Sequence, residues 1–247
     1  MPFGYKYHEN VTEKELLDVY NEFSKSEGIF TFEESKKPPC ISCAVIGTGG
    51  IMNGSNMGKE IDSHDMVFRV NHAIRKGYER DVGKKLTHYV FFDRSLIYTK
   101  ADDIPNDQGV TYLFVPCRKQ DLYYIMDVIG KGKSRRPPKL TTSSDNIRIL
   151  HPDFVRYVHK IWENTTSFRP TTGAIMVMTA MHAGCDHLSL YGMGYTHDYS
   201  MHYYDKEYVK YQSLKGSHDF KREIAIWARL HQDGIARWYK RDVAEFT

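Results

Sequence analysis

The strongest local signal for the fold of this chain is the segment Cys43-Ala-Val-Ile-Gly-Thr-Gly-Gly-Ile-Met-Asn-Gly54. Its first four residues form an apolar run typical of a buried strand, and the glycine-rich stretch Gly47–Gly54 follows directly. Glycines let a backbone turn sharply and approach a ligand closely, so that amide N–H groups can point at a phosphate. The stretch is not the dinucleotide fingerprint, because Met52 stands where the third glycine belongs, and no Gly-Lys-Ser/Thr of a P-loop follows. A purely structural turn is the more frequent role of such a loop, so phosphate binding needs support from elsewhere.

Outside this segment, short runs of β-formers alternate with helical patterns. The predicted strands are Cys43–Ile46, Met66–Val70, His88–Phe92, Thr111–Val115 and Leu188–Tyr191. The predicted helices are Asp121–Ile129, one that begins at Pro152, Gly173–Ala183 and one that begins at His218 and ends at Gly234. This alternation predicts an α/β domain with a mostly parallel central sheet flanked by helices. Ligands of such sheets bind beyond the carboxyl ends of the strands, which directs attention to the loops after Ile46, Val70 and Tyr191.

The first 39 residues are predicted to be a lead-in to the main domain, which then covers 40–247. Thr12 and Glu15 form a capping box ahead of an apolar helical stripe, and the polar run from Glu33 to Pro39 separates that helix from the rest. Further along the chain, the helix that begins at Pro152 is expected to present one apolar face, made by Phe154, Val155, Val158, Ile161 and Trp162.

The bulk composition is that of a globular chain, with 41% hydrophobic and 26% charged residues among 247. The formal charge of +3, from 34 basic and 31 acidic side chains, is not that of a dedicated nucleic-acid binder. No apolar run of about 18 residues marks a membrane span. Sequons at Asn10, Asn53 and Asn164 and an even number of cysteines favour a secretory compartment.

A second candidate anion site is the segment Arg169-Pro-Thr-Thr-Gly173, directly before a predicted apolar helix. Hydroxyls and backbone amides at a helix N-terminus bind anions. An ordinary N-cap, which Thr172 satisfies, explains the same residues. Asn71, at the end of a predicted strand, can donate to a phosphate or a ribose without adding charge. The charged residues around it are expected to be buried structural pairs that hold the glycine loop: Asp62, Asp65, Arg69 and Asp81.

Histidine is frequent in this chain, with twelve residues, and two of them, His202 and His218, lie in informative contexts. His218 starts a predicted amphipathic helix, where the helix dipole lowers the pKa of an imidazole and favours the neutral form that a general base needs. His202 starts the segment His-Tyr-Tyr-Asp205, and its spacing alone indicates no chemistry. Cys40-x-x-Cys43 and Cys185-x-His187 supply residue types that bind zinc, but no second CxxC or HxxxH completes a recognised zinc-site spacing. We therefore predict no metal site.

Four segments, in this order, closely resemble the motifs of the animal sialyltransferases, which transfer sialic acid from CMP-sialic acid to glycans. The large motif corresponds to Cys43–Lys84, the small motif to Pro170–Gly194, the third motif to His202–Asp205, and the very small motif to His218 with Glu223. The resemblance covers the chain from about Cys40 to Leu230. One residue departs from the pattern: family members often carry Asn at the position of Thr48, which puts that single nucleotide contact in question.

The resemblance implies a single Rossmann-like domain, a variant of the GT-A type, and an inverting reaction that needs no metal or other cofactor. The absence of an Asp-x-Asp motif agrees with a metal-independent donor. We predict that His218 is the general base and that His202 assists the phosphate leaving group. The residues expected to bind the donor are Thr48, Gly49, Gly50, Asn71, Thr171, Thr172, Gly173, Gly192 and Gly194. The resemblance also implies a Cys43–Cys185 disulfide; Cys40 and Cys117 then pair with each other, or Cys40 has a partner outside this sequence.

Within the family, the segments Pro170–Ala174, His202–Asp205 and His218–Lys221 look most like enzymes that add α2,6-linked sialic acid to O-linked GalNAc on glycoproteins. The first alternative is an α2,3-sialyltransferase that acts on the galactose of Gal-GalNAc glycans. The second is a glycan-binding module that has lost catalysis. The resemblance further implies a type II membrane protein of the Golgi lumen, with its anchor outside this sequence. Its expected partners are CMP-sialic acid and an O-glycan acceptor, not nucleic acid.

Overall fold

The computed structural model describes residues 12–23, 28–30, 37–134, 138–167, 169–210 and 218–243. The strands are β1 (Ser42–Ile46), β2 (Met66–Val70), β3 (His88–Phe91), β4 (Thr111–Phe114), β5 (Ile147–Ile149), β6 (His187–Tyr191) and β7 (Ala236–Trp238). The helices are α1 (Glu13–Asn21), α2 (Gly58–Asp62), α3 (Glu79–Val82), α4 (Asp93–Tyr98), α5 (Lys119–Val128), α6 (Pro152–Tyr157), α7 (Thr172–His182) and α8 (Phe220–Gln232). Short 3-10 turns lie at Gly50–Met52, Ala101–Asp103 and Ser144–Asn146.

The seven strands form one sheet in the order β5-β4-β3-β2-β1-β6-β7, and each neighbouring pair is parallel. The predicted α/β fold class is therefore confirmed, as are five predicted strands, which became β1 to β4 and β6. The two edge strands, β5 and β7, were not predicted. Each has only three residues with a charged one in the middle, Arg148 and Arg237, so neither shows the apolar run of a central parallel strand.

The direction of the chain across the sheet reverses at β1. From β1 the chain adds β2 to β5 on one side, and only then adds β6 and β7 on the other side. The almost entirely apolar helix α7 packs over β1, β2, β3 and β6, which is why it shows no amphipathic stripe. The β1–β6 junction is thus the topological switch point, beyond which α/β sheets bind their ligands.

The predicted disulfide between Cys43 and Cys185 is confirmed, with Cα atoms 5.8 Å apart. It ties β1 to the turn before β6, and so fixes the two strands of the switch point across 142 residues of chain. Cys40 is exposed and Cys117 is buried, and both are thiols. The first alternative for these two cysteines, a Cys40–Cys117 disulfide, is therefore not formed, and the second, a partner for Cys40 outside this sequence, stays a prediction.

Helix α6 continues as the π-helix Val158–Glu163, which ends at Asn164 with a φ of 43°. One expectation for this segment is wrong: Ile161, predicted on the apolar face, is 66% exposed, whereas Glu163 is wholly buried. A π-helix has a wider turn than an α-helix, so the apolar pattern that holds through Val158 no longer predicts which side chains face the core.

The lead-in helix α1 begins with the predicted capping box of Thr12 and Glu15. It packs against α5, where Glu15 pairs with Lys119, and Val19 joins the hydrophobic core of the sheet. The boundary between residues 39 and 40 stays a prediction. Part of the evidence for it, the polar residues 33–36, lies outside the described residues, as does the sequon at Asn10.

Candidate active site

A cleft of about 260 Å³ opens beyond the carboxyl ends of β1, β2, β3 and β6. All three loops that the sequence singled out contribute to its walls, together with the first residues of α7 and α8. The structure brings together these residues of the predicted set: Thr48, Asn71, Thr171, Thr172, Gly173, Gly192, Gly194, His202 and His218. They come from positions 48 to 218, so the fold rather than local sequence assembles the site.

Two residues of the predicted set, Gly49 and Gly50, are not among those that line the cleft. The Gly49 amide donates to the carbonyl of Gly192 at 2.9 Å. A Cβ on Gly50 would come within 1.9 Å of the carbonyl oxygen of Ser200, so only glycine permits this approach of the two backbones. The structure thus shows both residues joining the β1 loop to the segment after β6, and their contact with a donor stays a prediction.

The N-terminus of α7 points into the cleft, with Thr171 as its N-cap. The sequence had suggested Thr172 as the cap, but it is Thr171 whose hydroxyl accepts from the amide of Ala174 at 2.9 Å. Thr172 is the first helical residue instead. The amides of Thr172 and Gly173 therefore have no partner within the helix, and the positive end of an eleven-residue helix faces the cleft at this point.

A buried carboxylate fixes this helix end from behind. The Glu223 carboxylate accepts from the backbone amide of Thr171 at 2.8 Å and from its hydroxyl at 2.7 Å. The wholly buried Glu163 carboxyl lies near it, and neither of its oxygens has a hydrogen-bond partner among the described residues. Burial raises the pKa of Glu163, and the Glu223 charge raises it further, so Glu163 carries the proton of this pair.

The charged residues near the glycine loop are structural, as expected, but they do not pair with one another. The Asp81 carboxylate accepts from the amides of Gly54 and Asn56 at 2.8 and 2.9 Å. The buried guanidinium of Arg69 donates to the carbonyls of Val82 and Lys85 at 2.6 and 3.0 Å. Asp81 thus holds the end of the glycine loop and Arg69 holds the segment after α3, and neither side chain lines the cleft.

Asn71 occupies the turn directly after β2 with a φ of 41°, a left-handed conformation that Asn adopts more readily than most residues. Its carbonyl accepts from the hydroxyl of Tyr89 at 2.8 Å, which holds the turn. The side-chain Oδ1 is buried and has no hydrogen-bond partner among the described residues. An unpaired polar atom in a cleft wall is a natural contact for a polar ligand group, such as a ribose hydroxyl.

His218 immediately precedes Asp219, the N-cap of α8. Its Nδ1 lies 2.9 Å from the carbonyl oxygen of Arg169. A carbonyl can only accept, so Nδ1 carries the proton and Nε2 keeps a lone pair in the neutral ring. Burial lowers the pKa of His218 to about 4, an effect to which the positive charge of Arg169 also contributes. The ring is therefore neutral near physiological pH and has the form of a general base.

His202 is less enclosed, with 28% of its side chain exposed. Its Nδ1 lies 3.2 Å from a carboxylate oxygen of Asp205, and its ring stacks on Tyr204 with centroids 5.1 Å apart. A short antiparallel bridge to Gly49 fixes its backbone beside the glycine loop. The carboxylate stabilises a positive charge on the imidazole whenever the ring is protonated, which suits a partner for an anionic leaving group.

Sequence reasoning missed several residues of the cleft wall, among them Phe92, Ser95 and His72. Burial lowers the pKa of His72, and the charge of His202 in the same cleft lowers it further. Phe92 and Ser95 follow β3. The rule that selected the loops after β1, β2 and β6 would have found them if it had also been applied to β3.

Within the described part of the chain, no group of three or more His, Cys, Asp or Glu side chains is placed to hold a metal ion. In the same part, no helix has the length and apolarity to cross a bilayer.

Comparison with known proteins places this cleft in a family. A sequence model of glycosyltransferase family 29 (sialyltransferase) matches residues 2–235. The chain belongs to this family. The chain is 33% identical to human alpha-N-acetylgalactosaminide alpha-2,6-sialyltransferase 2 over 97% of its own length and 71% of that protein. It is 38% identical to alpha-N-acetylgalactosaminide alpha-2,6-sialyltransferase 1 of Gallus gallus, over 82% of the chain and 40% of that protein.

More distant matches agree with this placement. The mouse CMP-N-acetylneuraminate-beta-galactosamide-alpha-2,3-sialyltransferase 2 is 30% identical over 86% of the chain and 60% of that protein. The crystal structure of a mammalian sialyltransferase in complex with Gal-beta-1-3GalNAc-ortho-nitrophenol superposes with a TM-score of 0.74 at 28% identity. That superposition covers 95% of this sialyltransferase-family chain and 81% of the solved one.

Proposed function

We propose that this chain transfers sialic acid from CMP-sialic acid to a glycan, and that it forms an α2,6 linkage to O-linked GalNAc on glycoproteins. The observation that supports this most is that one cleft holds the N-terminus of α7, Asn71 and the two histidines His202 and His218. A phosphate-bearing donor and an acid–base reaction need these groups together. The family membership of the chain gives the proposal its substrate class.

The proposed reaction inverts the anomeric carbon. The acceptor hydroxyl oxygen forms a bond to this carbon, while the bond from the carbon to the phosphate oxygen breaks and its electron pair leaves with CMP. Nε2 of His218 takes the hydroxyl proton. His202 and the amides of Thr172 and Gly173 stabilise the phosphate as it leaves, because preformed donors in a partly enclosed site cost no reorganisation during the reaction.

Donor binding is proposed for the same walls. The Asn71 side chain and the Thr172 hydroxyl are expected to hold the phosphate or the ribose. Thr48 lines the cleft from the glycine loop, together with Gly47. Gly192 and Gly194 both have positive φ, of 59° and 88°, so the loop after β6 reaches the cleft in a shape that favours glycine. We also propose that no metal is required, and that the full-length protein is anchored in the Golgi membrane with this domain in the lumen.

The second candidate is an α2,3-sialyltransferase that acts on galactose. The similar solved structure is a complex with Gal-beta-1-3GalNAc-ortho-nitrophenol, a compound that carries the galactose on which this alternative enzyme would act. We place it second because the α2,6 relatives above are 33% and 38% identical and the α2,3 relative is 30% identical.

A panel assay tests the proposal. CMP-sialic acid is offered with a GalNAc-peptide, a Gal-β1,3-GalNAc-peptide and an N-glycan, and the linkage of each product is determined. We expect α2,6 sialylation of the GalNAc residue and full activity in EDTA. An α2,3 product on galactose would establish the alternative. Glycan binding without release of CMP would show that the chain is a module without catalysis, and activity that returns only with manganese would contradict metal independence.

A further inference from the structure

Arg169 is a cleft residue whose charge the mechanism above does not use. Its guanidinium stacks over the ring of Phe92, 4.2 Å from the centroid, and Nη1 donates to the Cys117 sulfur at 3.4 Å. Its Nε is buried and has no hydrogen-bond partner among the described residues. The contrast is Arg118, which also lies over the Phe92 ring, at 5.4 Å from the centroid, but is paired with the carboxylates of Asp93 and Asp121. Arg169 forms no salt bridge with any described residue.

The charge of the donor makes this arrangement informative. This inference rests on the proposed function, in which the donor is CMP-sialic acid. That donor carries two negative groups, the phosphate and the carboxylate of the sialyl residue. Arg169 is the only Lys or Arg among the described residues that line the cleft. The N-terminus of α7 and His202 already serve the phosphate in the proposed reaction. The carboxylate then needs a cationic partner, and a guanidinium suits it because its fork of N–H groups matches two carboxylate oxygens.

Arg169 lies next to the proposed base, and this favours the carboxylate of these two anions. The carbonyl of Arg169 holds Nδ1 of His218 at 2.9 Å. Its side-chain charge also lies close enough to lower the pKa of His218, after burial. The other imidazole nitrogen must face the acceptor oxygen as this oxygen attacks the anomeric carbon. In sialic acid the carboxylate is bonded directly to that carbon, so the bound carboxylate lies beside the base.

We infer that the Arg169 guanidinium binds the sialyl carboxylate of the donor, with Phe92 holding its plane. Arg169 is then a binding residue at the reacting end of the donor rather than at the nucleotide end. The carboxylate would also offset the positive charge next to His218, so the base gains proton affinity when the donor is bound.

The test compares two probes that differ in the carboxylate. CMP has the phosphate alone, whereas CMP-3-fluorosialic acid keeps the carboxylate and releases CMP slowly. Calorimetry measures the affinity for each probe in the wild type and in the variants Arg169→Gln and Arg169→Lys. The control variant is Arg94→Gln, which removes an exposed arginine of α4 outside the cleft wall. We expect Arg169→Gln to weaken the fluorinated donor roughly 10–100-fold, as for a lost charge-assisted pair, and to leave CMP binding nearly unchanged. Arg169→Lys should restore part of the loss, and Arg94→Gln should change neither affinity.

Each other outcome is decisive. An equal loss for both probes, in a variant whose melting temperature is unchanged, would assign Arg169 to the phosphate and overturn the inference. No loss for either probe would also overturn it and leave Arg169 a packing role only. Unchanged CMP affinity shows that a variant is folded. If Arg169→Gln does not fold, the same comparison is made with Arg169→Lys, and we expect this variant to lose affinity for the fluorinated donor alone. A wild-type protein that binds neither probe would instead refute the proposed function.

Discussion

His218 and His202 lie in the same cleft but in opposite surroundings. His218 is largely buried and its Nδ1 meets a neutral carbonyl, which leaves a neutral ring with a free Nε2. His202 is partly exposed and its Nδ1 meets the carboxylate of Asp205, which supports positive charge. The comparison shows how one fold gives two identical side chains different surroundings, one that suits the proposed base and one that suits the proposed partner of the leaving group.

Removal of the base should have the largest effect. We expect His218→Ala to lower kcat roughly 10²–10⁴-fold with little change in CMP affinity, since general-base catalysis is lost and the nucleotide contacts remain. Transfer rates at saturating donor and calorimetry with CMP measure the two quantities. His187→Ala is the matched control, because this histidine is exposed at the start of β6 and outside the cleft wall. Near-normal turnover of His218→Ala would end the assignment.

The second histidine should matter at a different step. We expect His202→Ala to lower turnover about 10²–10³-fold, the usual cost of one lost donor to a developing negative charge. Because this role concerns the departure of CMP, the slow hydrolysis of the donor without acceptor should fall as well. CMP release measured with and without acceptor tests this. If transfer falls while hydrolysis is unchanged, His202 does not act on the leaving group.

The position of the cleft could be predicted from sequence because it depends on where the strands of a parallel sheet end. Apolar runs marked β1, β2 and β6, and their carboxyl ends carry Thr48, Asn71 and Gly192, all of which line the cleft. The disulfide and the role of the third motif came instead from the family resemblance. The spacing of His202 indicated nothing, because its place depends on a backbone bridge to Gly49, far away in the chain.

The residues that sequence could not place depend on contacts between distant segments. Gly50 is required because Ser200 passes close to it, and nothing near Gly50 in sequence announces this contact. Glu163 reaches Glu223 only because α6 continues as a π-helix, which moves a polar residue of the helix pattern into the core. Arg169 precedes the hydroxyls and the glycine of its motif, and the sequence does not show that its side chain also lines the cleft. In each case the missing information is tertiary packing, not local propensity.

The surroundings of the two histidines also predict a pH signature. With a pKa of about 4, the His218 ring stays mainly neutral near pH 5, where a ring with the ordinary pKa of 6.5 is almost wholly protonated. As the pH falls, the His218 ring becomes protonated and can no longer accept a proton only when the pH passes through the lowered pKa. Near pH 5 about 30 times more neutral imidazole should be present than in an unshifted ring. NMR titration of the ring, assigned by its absence in His218→Ala, measures this, and a midpoint near 6.5 would remove the contrast.

The smallest expected effect tests the other half of the comparison, the carboxylate beside His202. Asp205→Asn keeps the size of the side chain and an acceptor oxygen but removes the charge. We expect a fall in turnover of about 2–10-fold, the range of one weakened hydrogen bond, with CMP affinity retained. Asp198→Asn, an exposed Asp with its own local contact to Thr196, is the control. Asp205 also accepts from the His202 amide at 2.8 Å and from the Ser200 hydroxyl at 2.6 Å. A loss of turnover as large as that of His202→Ala, accompanied by a lower melting temperature, would therefore mean that Asp205 mainly holds the loop. No loss at all would mean that His202 works without an anionic partner, and the two histidines would then differ in burial alone.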